Sequence, residues 1–336
     1  MKANKHLVLP LTMNSKLYLI VIFCLLSLGA AEFGARFYGL GRPPLTKTHP
    51  IIEYYFLPQQ ELTRFGSRIA INKFGMRSDD IQGSLLNPRH QRVLVFGDSV
   101  VFGGSQMDQA SIATTILQQR LRNNDSTVEV LNISAGSWGP GNWRGYAKTY
   151  GLFGATDVIL VISSHDATDN PSFAPLNPNT HPSSNPPFAL YELFSRYLWP
   201  RLILSQVIGS SSRRARDEQS ENEAQASLLQ SLKIGLADLD AFLAIAENSG
   251  ARVAIVQFWD RAEVESGKAN FGHQEIFDVL RRRNVEIVQS YELFKDCSSY
   301  PGRDLFSDGI HPYTLAGQQC LADSLQLALE RSRQLR

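Results

Sequence analysis

Two short segments, far apart in the chain, carry the residue types of a nucleophilic acyl-transfer site. Gly97-Asp98-Ser99 follows an apolar run, and Asp308-Gly309-Ile310-His311 lies near the C-terminus. A serine hydroxyl becomes an effective nucleophile when a base takes its proton, and the base works best when a carboxylate fixes its tautomer. Asp308 and His311 can place a carboxylate on one ring nitrogen while the other nitrogen faces Ser99. These three residues are therefore the predicted catalytic set.

Each segment alone also has a purely structural interpretation. Gly-Asp-Ser is common in turns, and Asp-Gly-x-His-Pro is typical of a loop that leads into a helix. The two occur together here, in this order, one after an apolar strand and one before a helix. In this the chain resembles the SGNH/GDSL family of serine esterases and acyltransferases, over about residues 90–333. The resemblance implies an acyl-enzyme mechanism at Ser99, with His311 as the base and Asp308 as the group that orients it.

The resemblance also implies an oxyanion hole, whose residues match the family pattern less closely. After the predicted strand 157–162, His165 stands where the family places an asparagine that donates to the oxyanion. A neutral imidazole N–H can donate in the same way, although a loop histidine bonded to its neighbours is the alternative. The family's second block supplies a backbone amide, which falls on Gly136 or Ser137 depending on the alignment. Small residues that merely turn the chain are the alternative there. The amide of Ser99 itself is the remaining predicted donor.

The N-terminus predicts export. Residues 17–31 carry no charge and follow Lys2, Lys5 and Lys16, the positive flank of a segment whose N-terminus stays in the cytoplasm. Fifteen residues are short for a membrane span, but the aromatic turns that follow can extend the segment to the interface. Gly29-Ala30-Ala31 resembles a cleavage site, so a removed signal peptide is the alternative. We expect residues 1–40 to form an uncleaved single-pass anchor in the cell membrane, with an extracytoplasmic body. A cleaved segment would leave a secreted protein.

Residues 41–90 contain several prolines and predict an irregular linker or edge segment. Within it, Asn72, Gly75 and Arg77 form an Asn-x-x-Gly-x-Arg element of the kind found in membrane-tethered bacterial members of the family. Arg77 would either hold a substrate carboxylate or belong to an edge strand and turn, and we expect the second.

Residues 91–336 alternate between short, solidly apolar strands and helices. The predicted strands are 92–96, 128–133, 158–162, 253–258 and 285–288, and the predicted helices are 110–122, about 143–153, 223–249, 274–283 and 314–334. This alternation predicts an α/β fold with a doubly wound, flavodoxin-like, five-stranded parallel sheet and helices on both faces. The family resemblance implies the strand order 2-1-3-4-5.

One insertion, at about residues 168–218, interrupts the alternation. Residues 170–187 hold six prolines and precede an amphipathic stretch, 188–208, after which residues 210–224 are polar and predicted to be mobile. Because the insertion begins just after His165, it leaves from the edge of the sheet that carries the site. Its aromatic side chains would wall a glycan or acyl site, or pack the insertion onto the body. Trp138, Trp143 and Trp259 also follow strand ends, where core packing is the more common role and stacking on a sugar the alternative.

Composition excludes several function classes. A net charge of +1 over 336 residues provides no electrostatic footprint for nucleic acid. The histidines His165, His181, His273 and His311 lie in separate loops without paired ligand spacing, so we predict no metal and no cofactor. Cys297 and Cys320 can pair in an oxidising space, or Cys320 is a core position of its helix.

Two functions fit these observations. The first is an exported serine esterase or acyltransferase acting on O-acyl, especially O-acetyl, esters, plausibly those of an extracellular polysaccharide. Its partners would be the acylated glycan, the membrane and the polysaccharide synthesis machinery. The alternative is a glycan-binding or polysaccharide-assembly protein without catalysis, suggested by the departures at His165 and Ser137. The sequence leaves hydrolysis and transfer open because one triad serves both.

Overall fold

The computed structural model describes residues 15–81, 91–123, 125, 127–200, 218–283, 285–299 and 304–334. The strands are β1 Thr46–His49, β2 Glu53–Phe56, β3 Gln60–Arg64, β4 Ser67–Ile71, β5 Arg92–Gly97, β6 Glu129–Ser134, β7 Asp157–Ser163, β8 Arg252–Phe258 and β9 Glu286–Gln289. The helices are α1 Ser15–Phe37, α2 Ser99–Phe102, α3 Ala113–Arg122, α4 Pro140–Tyr150, α5 Ala189–Glu192, α6 Glu218–Asn248, α7 Arg261–Ser266, α8 His273–Leu280, α9 Ser290–Ser298 and α10 Leu315–Gln334.

The central sheet confirms the predicted α/β fold. Its five parallel strands lie in the order β6-β5-β7-β8-β9, which is the expected 2-1-3-4-5. All six residues of strand β5 are buried, which explains the continuous apolar run that predicts this strand. Leu94 and Phe96 face a core shared with α4, α6 and α8, whereas Val93 and Val95 face one shared with α3, α9 and α10. A strand covered on both faces has to be apolar on both, so it reads as a continuous apolar run.

The region predicted to be an irregular linker contains two antiparallel hairpins, β1–β2 and β3–β4. Neither pairs with the parallel sheet, so the expected edge strand after residue 69 belongs to a separate two-stranded sheet. Side chains such as Ile52, Tyr54 and Ile69 enter the core on the α4 and α6 face. The hairpins therefore form part of the body of the protein and do not act as a spacer.

Arg77 is a structural residue in this arrangement. Its side chain is fully buried and donates to the carbonyl oxygens of Phe102 (2.7 Å), Gly104 (2.5 Å) and Met107 (2.5 Å). With its donors used in this way, Arg77 is not placed to hold a substrate carboxylate. It braces the loop that follows α2, and burial lowers its pKa to about 10.

Helix α1 is long and apolar enough to cross a membrane, by length and composition. From residue 17 to residue 28 its large apolar side chains are exposed, as expected for a segment that has lipid as its solvent. A signal sequence near the N-terminus would satisfy the same criteria.

The insertion is only partly described. Residues 168–188 are largely irregular, and α5 continues into a π-helical turn, Leu193–Leu198. Of the segment predicted to be mobile, 210–224, the part up to residue 217 lies outside the described residues. The last residues of the segment are helical, because α6 begins at Glu218, five residues earlier than predicted.

The C-terminal part contains two helices that the sequence pattern did not predict, α7 and α9. Cys297 at the end of α9 forms a disulfide with Cys320 in α10, with Cα atoms 6.5 Å apart. That separation is within the usual range for a disulfide. The bridge joins two helices that pack on the same face of the sheet.

Candidate active site

Ser99 lies at the carboxyl edge of the sheet, where β5 turns into the short helix α2. Asp98 caps this helix by accepting a hydrogen bond from the amide of Val100 at 2.8 Å. Gly97 is required at the turn because a Cβ there would collide with the side chain of Val101. The indole N–H of Trp143 donates to the Gly97 carbonyl at 2.9 Å. Ser99 is thus presented, partly exposed, at the point where strand order reverses between β5 and β7, a usual site position in such sheets.

The structure brings Ser99, His311 and Asp308 together from more than 200 residues apart. Ser99 Oγ lies 2.9 Å from His311 Nε2, and His311 Nδ1 lies 2.7 Å from Asp308 Oδ2. With Nδ1–H donating to Asp308, Nε2 is free to accept the serine proton. This is the arrangement of a serine nucleophile, its base and an orienting carboxylate.

Asp308 is held in its ionised form by hydrogen bonds. Its Oδ1 accepts from the amides of Ile310 and His311, each at 2.8 Å. Partial burial acts to raise the pKa of Asp308, but these amides and the His311 ring outweigh it and hold the pKa below its usual range. Asp308 therefore stays negative across neutral pH.

Two residues without a sequence signal fix the His311 loop. Arg261 donates to the carbonyl of Asp308 at 3.0 Å and pairs with Asp304 at 2.8 Å. Tyr313 stacks on the His311 ring, with centroids 4.6 Å apart, and donates to the Ser99 carbonyl at 2.7 Å. The loop is therefore attached both to α7 and to the nucleophile turn.

His165 lies on the other side of Ser99, after β7, in a different electrostatic setting. Its Nε2 is 3.2 Å from Asp98 Oδ2 and 3.6 Å from Asp166 Oδ1. Burial acts to lower the pKa of His165, but the charges of Asp166, Asp98 and Asp169 outweigh it and raise the pKa to about 10. The sequence suggested a neutral imidazole, whereas these carboxylates favour an imidazolium at neutral pH. Of its two ring nitrogens, only Nδ1 has no described hydrogen-bond partner.

Burial and mutual repulsion raise the pKa values of two carboxyl groups near His165, those of Asp166 and Asp169. Asp166 is fully buried, and burial together with Asp98 raises its pKa well above the ordinary value. Its Oδ2 accepts from the Ser163 amide at 2.6 Å, while Oδ1 has no hydrogen-bond partner among the described residues. Burial and the neighbouring charges of Asp98 and Glu53 raise the pKa of Asp169 to about 6, although His165 acts to lower it.

The Asp98–His165–Asp166 group also has ligand-type atoms within 4.8 Å of one another, a clustering that spacing along the sequence did not predict. Among the described residues it is the one such group of three. The raised pKa of His165 favours an imidazolium, which would offset part of the negative charge of this group, and we assign no metal to it.

Gly136 and Ser137 follow β6, on the other side of β5 from His165. Gly136 lines the pocket that contains Ser99, and its carbonyl accepts the hydroxyl of Tyr54. Ser137 has a positive φ of 57° and is not among the pocket-lining residues. Among the described residues, neither amide donates to another protein group, so both are available to a ligand. The pocket lining favours Gly136 as the donor.

The pocket at Ser99 is small, about 170 Å³, and three parts of the chain form its walls. The hairpin region contributes Pro44, Thr46, Tyr54 and Phe56, and the insertion contributes Thr180, His181 and Arg196. The segments after β5, after β6 and around His311 contribute Ser99, Phe102, Ser105, Gly136 and Tyr313. The His181 ring lies against Tyr54, with centroids 4.4 Å apart. Sequence analysis missed Tyr54 and Arg196 because nothing in their local sequence marks them.

The tryptophans at the strand ends are packing residues. Trp138 and Trp143 are 2% and 0% exposed, so neither can stack on a sugar. Trp259 is half-buried against Tyr291 and His273.

No family model and no curated protein matches the chain. Among solved structures, it is similar to LAE5, an α/β hydrolase from the metagenome of Lake Arreo, with 14% identity, 74% of this chain and 98% of that chain covered, and a TM-score of 0.42. It is also similar to a two-domain esterase active on acetylated mannans, with 10% identity, 73% of this chain and 50% of that chain covered, and a TM-score of 0.45. Axe2, an acetylxylan esterase from Geobacillus stearothermophilus, has 11% identity, 74% and 95% coverage and a TM-score of 0.42. At these identities and TM-scores the likeness assigns no activity, which has to be argued from the site.

Proposed function

We propose that this chain is a serine ester hydrolase or acyltransferase of the SGNH/GDSL type. The observation that carries the proposal is the continuous hydrogen-bonded path from Ser99 Oγ to His311 Nε2 and from His311 Nδ1 to Asp308. A histidine between a serine and an ionised carboxylate can take the serine proton as the hydroxyl attacks. That path is complete without any movement of the described residues.

The reaction proceeds through an acyl-enzyme. Ser99 Oγ attacks the ester carbonyl while His311 Nε2 accepts its proton, and Asp308 stabilises the resulting imidazolium. His311 then returns the proton to the leaving alcohol, which departs and leaves the acyl group on Ser99. Water or a second hydroxyl then attacks this acyl group while His311 takes its proton. His311 passes that proton to Ser99 Oγ as the acyl–oxygen bond breaks, which restores the serine. Water makes the protein an esterase, and a sugar hydroxyl makes it an acyltransferase.

The oxyanion formed at each attack needs hydrogen-bond donors. We assign this role to the amides of Ser99 and Gly136 or Ser137, together with His165. Support for His165 comes from its charge, since an imidazolium interacts more strongly with an oxyanion than a neutral ring does. With Nε2 engaged by Asp98, the donating atom would be Nδ1.

The size of the pocket favours a small acyl group. A volume of about 170 Å³ is below the roughly 300–1,000 Å³ of pockets for drug-sized ligands. An acetyl ester is therefore the substrate class that fits best, and an acetylated extracellular polysaccharide is its plausible source. A neighbouring cluster of polysaccharide synthesis genes would support the glycan and a partnership with that machinery.

We further propose that α1 anchors the chain in the cell membrane, with the body outside the cytoplasm. The Lys-flanked, exposed apolar surface of α1 supports this placement. We expect the chain to pellet with the membranes after carbonate extraction and its body to be accessible to protease added on the extracytoplasmic side. A mature N-terminus at Ala31 or Glu32 would instead show that the segment is cleaved.

The catalytic proposal is tested by labelling the full chain in membranes with a fluorophosphonate probe. The wild type should be labelled and Ser99→Ala should not. Ser298→Ala is the matched control, because Ser298 is an exposed serine at the end of α9, away from the pocket, and its loss should leave labelling intact. Absence of labelling in the wild type, where a control esterase reacts, would contradict the proposal.

The acyl-group proposal is tested separately with a series of p-nitrophenyl esters. Acetate should be cleaved faster than butyrate and octanoate. A preference for octanoate would show that the small pocket is not the acyl site, without affecting the assignment of Ser99.

A further inference from the structure

The part of the insertion at residues 188–199 has two chemically different faces. On the inner face, Ala189 and Glu192 are buried. On the outer face, large apolar side chains are exposed, namely Phe188 (61%), Tyr191 (56%), Phe194 (49%), Leu198 (44%) and Trp199 (51%). Isolated exposed apolar residues are common on soluble proteins, but a contiguous set on one short segment marks an interaction surface. We call these five residues the outer face.

Direct contacts attach the inner face to the end of α1. The Glu32 carboxylate accepts hydrogen bonds from the amides of Ala189 (2.9 Å) and Leu190 (3.0 Å). Arg36 donates to the Pro187 carbonyl at 3.0 Å. Ala35 and Leu40 pack with Ala189 in a small apolar cluster. The segment therefore has a defined position relative to α1.

A buried ion pair attaches the same segment to the body of the protein. Glu192 Oε1 lies 2.7 Å from Arg64 Nη2, and both side chains are 1% exposed. Glu192 also accepts the amide of Gly41 at 2.6 Å. Removing one partner of such a pair is strongly destabilising, because it leaves an uncompensated buried charge. The outer face is accordingly held rigidly with respect to both α1 and the catalytic body.

An apolar groove of about 580 Å³ separates α1 from the outer face. Its walls are Leu25, Leu28, Gly29 and Glu32 on α1, and Phe188, Leu190, Tyr191 and Phe194 on the insertion. Leu25 and Leu28 belong to the uncharged stretch 17–31, which has to lie in the hydrocarbon if α1 spans a membrane. At 1.5 Å per residue, Leu25 is about 10 Å along the helix from Glu32. Three residues of the outer face, Phe188, Tyr191 and Phe194, share the groove with these leucines and then lie within that depth of the membrane surface. Trp199 packs against Phe194, with ring centroids 5.6 Å apart.

We infer that the outer face is a membrane-interface surface whose occupant is the phospholipid bilayer itself. Aromatic side chains are enriched at the boundary between hydrocarbon and headgroups, where an apolar ring and a polar atom are both solvated. Tyr191 and Trp199 have that character, and Phe33, Phe37 and Tyr38 at the end of α1 are exposed as well. The inference rests on the proposed function in one respect, namely that α1 is retained and spans the membrane.

The position of the outer face has a consequence for the substrate. Arg196 belongs to the same segment, but it lines the pocket that contains Ser99 and contacts Glu192 at 3.2 Å. The outer face and one wall of the Ser99 pocket therefore belong to the same short segment of the chain. If the outer face contacts the bilayer, this segment brings the pocket toward esters and acceptors presented at the membrane surface.

Tryptophan quenching by brominated phospholipids tests this directly on the full chain in nanodiscs. The four tryptophans are Trp138, Trp143, Trp199 and Trp259, of which the first two are buried. We expect wild-type emission to be quenched, Trp199→Phe to lose most of the quenchable emission, and Trp259→Phe to retain it. Equal quenching in the wild type and Trp199→Phe would overturn the inference.

A second variant perturbs the surface and leaves the reporter in place. Tyr191→Asp should reduce the quenching of Trp199, because a charge on the outer face disfavours burial in lipid. Phe271→Asp is the matched control, since Phe271 is similarly exposed (51%) but lies outside the insertion. In this variant the quenching of Trp199 should equal that in the wild type. If a second copy of the chain covers the outer face, Trp199 will be unquenched and the copies will cross-link through this segment, which also overturns the inference.

The outcomes separate this inference from the proposed function. Carbonate-resistant pelleting reports on α1 alone, and fluorophosphonate labelling reports on Ser99 alone. A chain that pellets and is labelled, but whose Trp199 is unquenched, would refute only the membrane-interface surface.

Discussion

Two histidine–aspartate pairs flank Ser99, and they differ in what surrounds the carboxylates. His311 contacts one partly exposed carboxylate, Asp308, which is stabilised as an anion by two backbone amides. His165 contacts two buried carboxylates, Asp98 and Asp166, with Asp169 close enough to influence its pKa. One histidine thus has a single anionic partner and faces the nucleophile, whereas the other is surrounded by negative charge.

The difference shows how the same two residue types serve different chemistry. A base has to exchange a proton during turnover, so it needs a partner that orients it without holding the proton too firmly. Because the pKa of His165 is raised to about 10, we expect it to keep its proton throughout the physiological range and to serve as a fixed positive charge. We therefore expect the His311 pair to move a proton and the His165 pair to hold a charge.

The largest expected effect is from His311→Ala. Removing the base should lower kcat by roughly a million-fold, since loss of the base in a serine triad costs about as much as loss of the nucleophile. Thermal stability should change little, because the ring is partly exposed. Fluorophosphonate labelling and ester cleavage measure the effect. If His165→Ala were the more damaging of the two substitutions, the roles assigned to the pairs would be reversed.

Asp308→Asn should have the next largest effect. An amide cannot stabilise the imidazolium and favours the wrong tautomer, so kcat should fall by about 10⁴-fold. The matched control is Asp304→Asn, on the same loop, whose side chain is exposed and pairs with Arg261. Surface changes of that kind usually alter the free energy of unfolding by less than about 0.5 kcal/mol, so the kcat of Asp304→Asn should stay near the wild-type value. Similar losses in the two variants would show that Asp308 serves only the loop.

His165→Ala should lower kcat by roughly a hundred- to a thousand-fold, with a much smaller change in KM, because the lost donor acts on charge present only in the transition state. His165→Asn should retain more activity than His165→Ala, since its amide can still donate. A wild-type rate in His165→Ala would show that the imidazolium is purely structural.

The same comparison has a pH signature. Because the pKa of His165 is raised to about 10, its charge should be constant from pH 6 to pH 9. The ratio of wild-type to His165→Ala rates should then be flat in that range and decrease as the pH approaches 10. A ratio that decreases near pH 6.5 would indicate an ordinary histidine.

The smallest expected effect is on stability, through Asp169. Its folded-state pKa of about 6 lies above the roughly 3.9 of an unfolded aspartate, so the folded state binds more protons between those values. Its contribution to the free energy of unfolding is therefore most favourable below about pH 4 and is lost as the pH rises through 6. Asp169→Asn removes this loss and should raise that free energy by about 1–2 kcal/mol at pH 7.5, after allowing for its partial exposure.

Thermal unfolding of the detergent-solubilised chain measures this effect. The Asp169→Asn variant should gain stability at pH 7.5 and gain little at pH 4, where the wild-type carboxyl is already protonated. An equal gain at both pH values would mean that the substitution acts through packing and not through charge.

Local sequence was sufficient for the sheet and for the serine, histidine and aspartate of the first pair. Strands buried on both faces have to be continuously apolar, so each of the five was visible in the sequence to within two residues. Ser99 follows such a strand, and Asp308 and His311 are three residues apart, so their geometry depends on local chain conformation. Only their approach to one another required the fold.

The hairpins show where local sequence was insufficient. Strand β3, Gln60–Arg64, lacks an alternating apolar pattern, and its turn to β4 has positive φ at both Phe65 (51°) and Gly66 (80°). Phenylalanine seldom adopts that conformation, so the turn has none of the Asn-Gly or Asp-Gly composition that predicts a two-residue hairpin. The Phe65 ring instead packs edge-on against Tyr197 of the insertion, with centroids 6.1 Å apart.

The sequence by itself determined the layered fold and the catalytic residue types at the end of β5, the first strand of the parallel sheet. It could do so because apolar periodicity and residue spacing are local properties. Only the tertiary structure brought Asp98, which lies 67 residues earlier in the chain, within hydrogen-bond distance of His165. There it adds to the effect of the sequence neighbours Asp166 and Asp169 on the His165 pKa. The tertiary structure likewise decided the position of the insertion on the body, where Glu192 meets Arg64 of β3 across 128 residues. A pKa and a docking surface both depend on which distant charges and side chains the fold brings within a few ångströms, and spacing along the chain does not encode that distance.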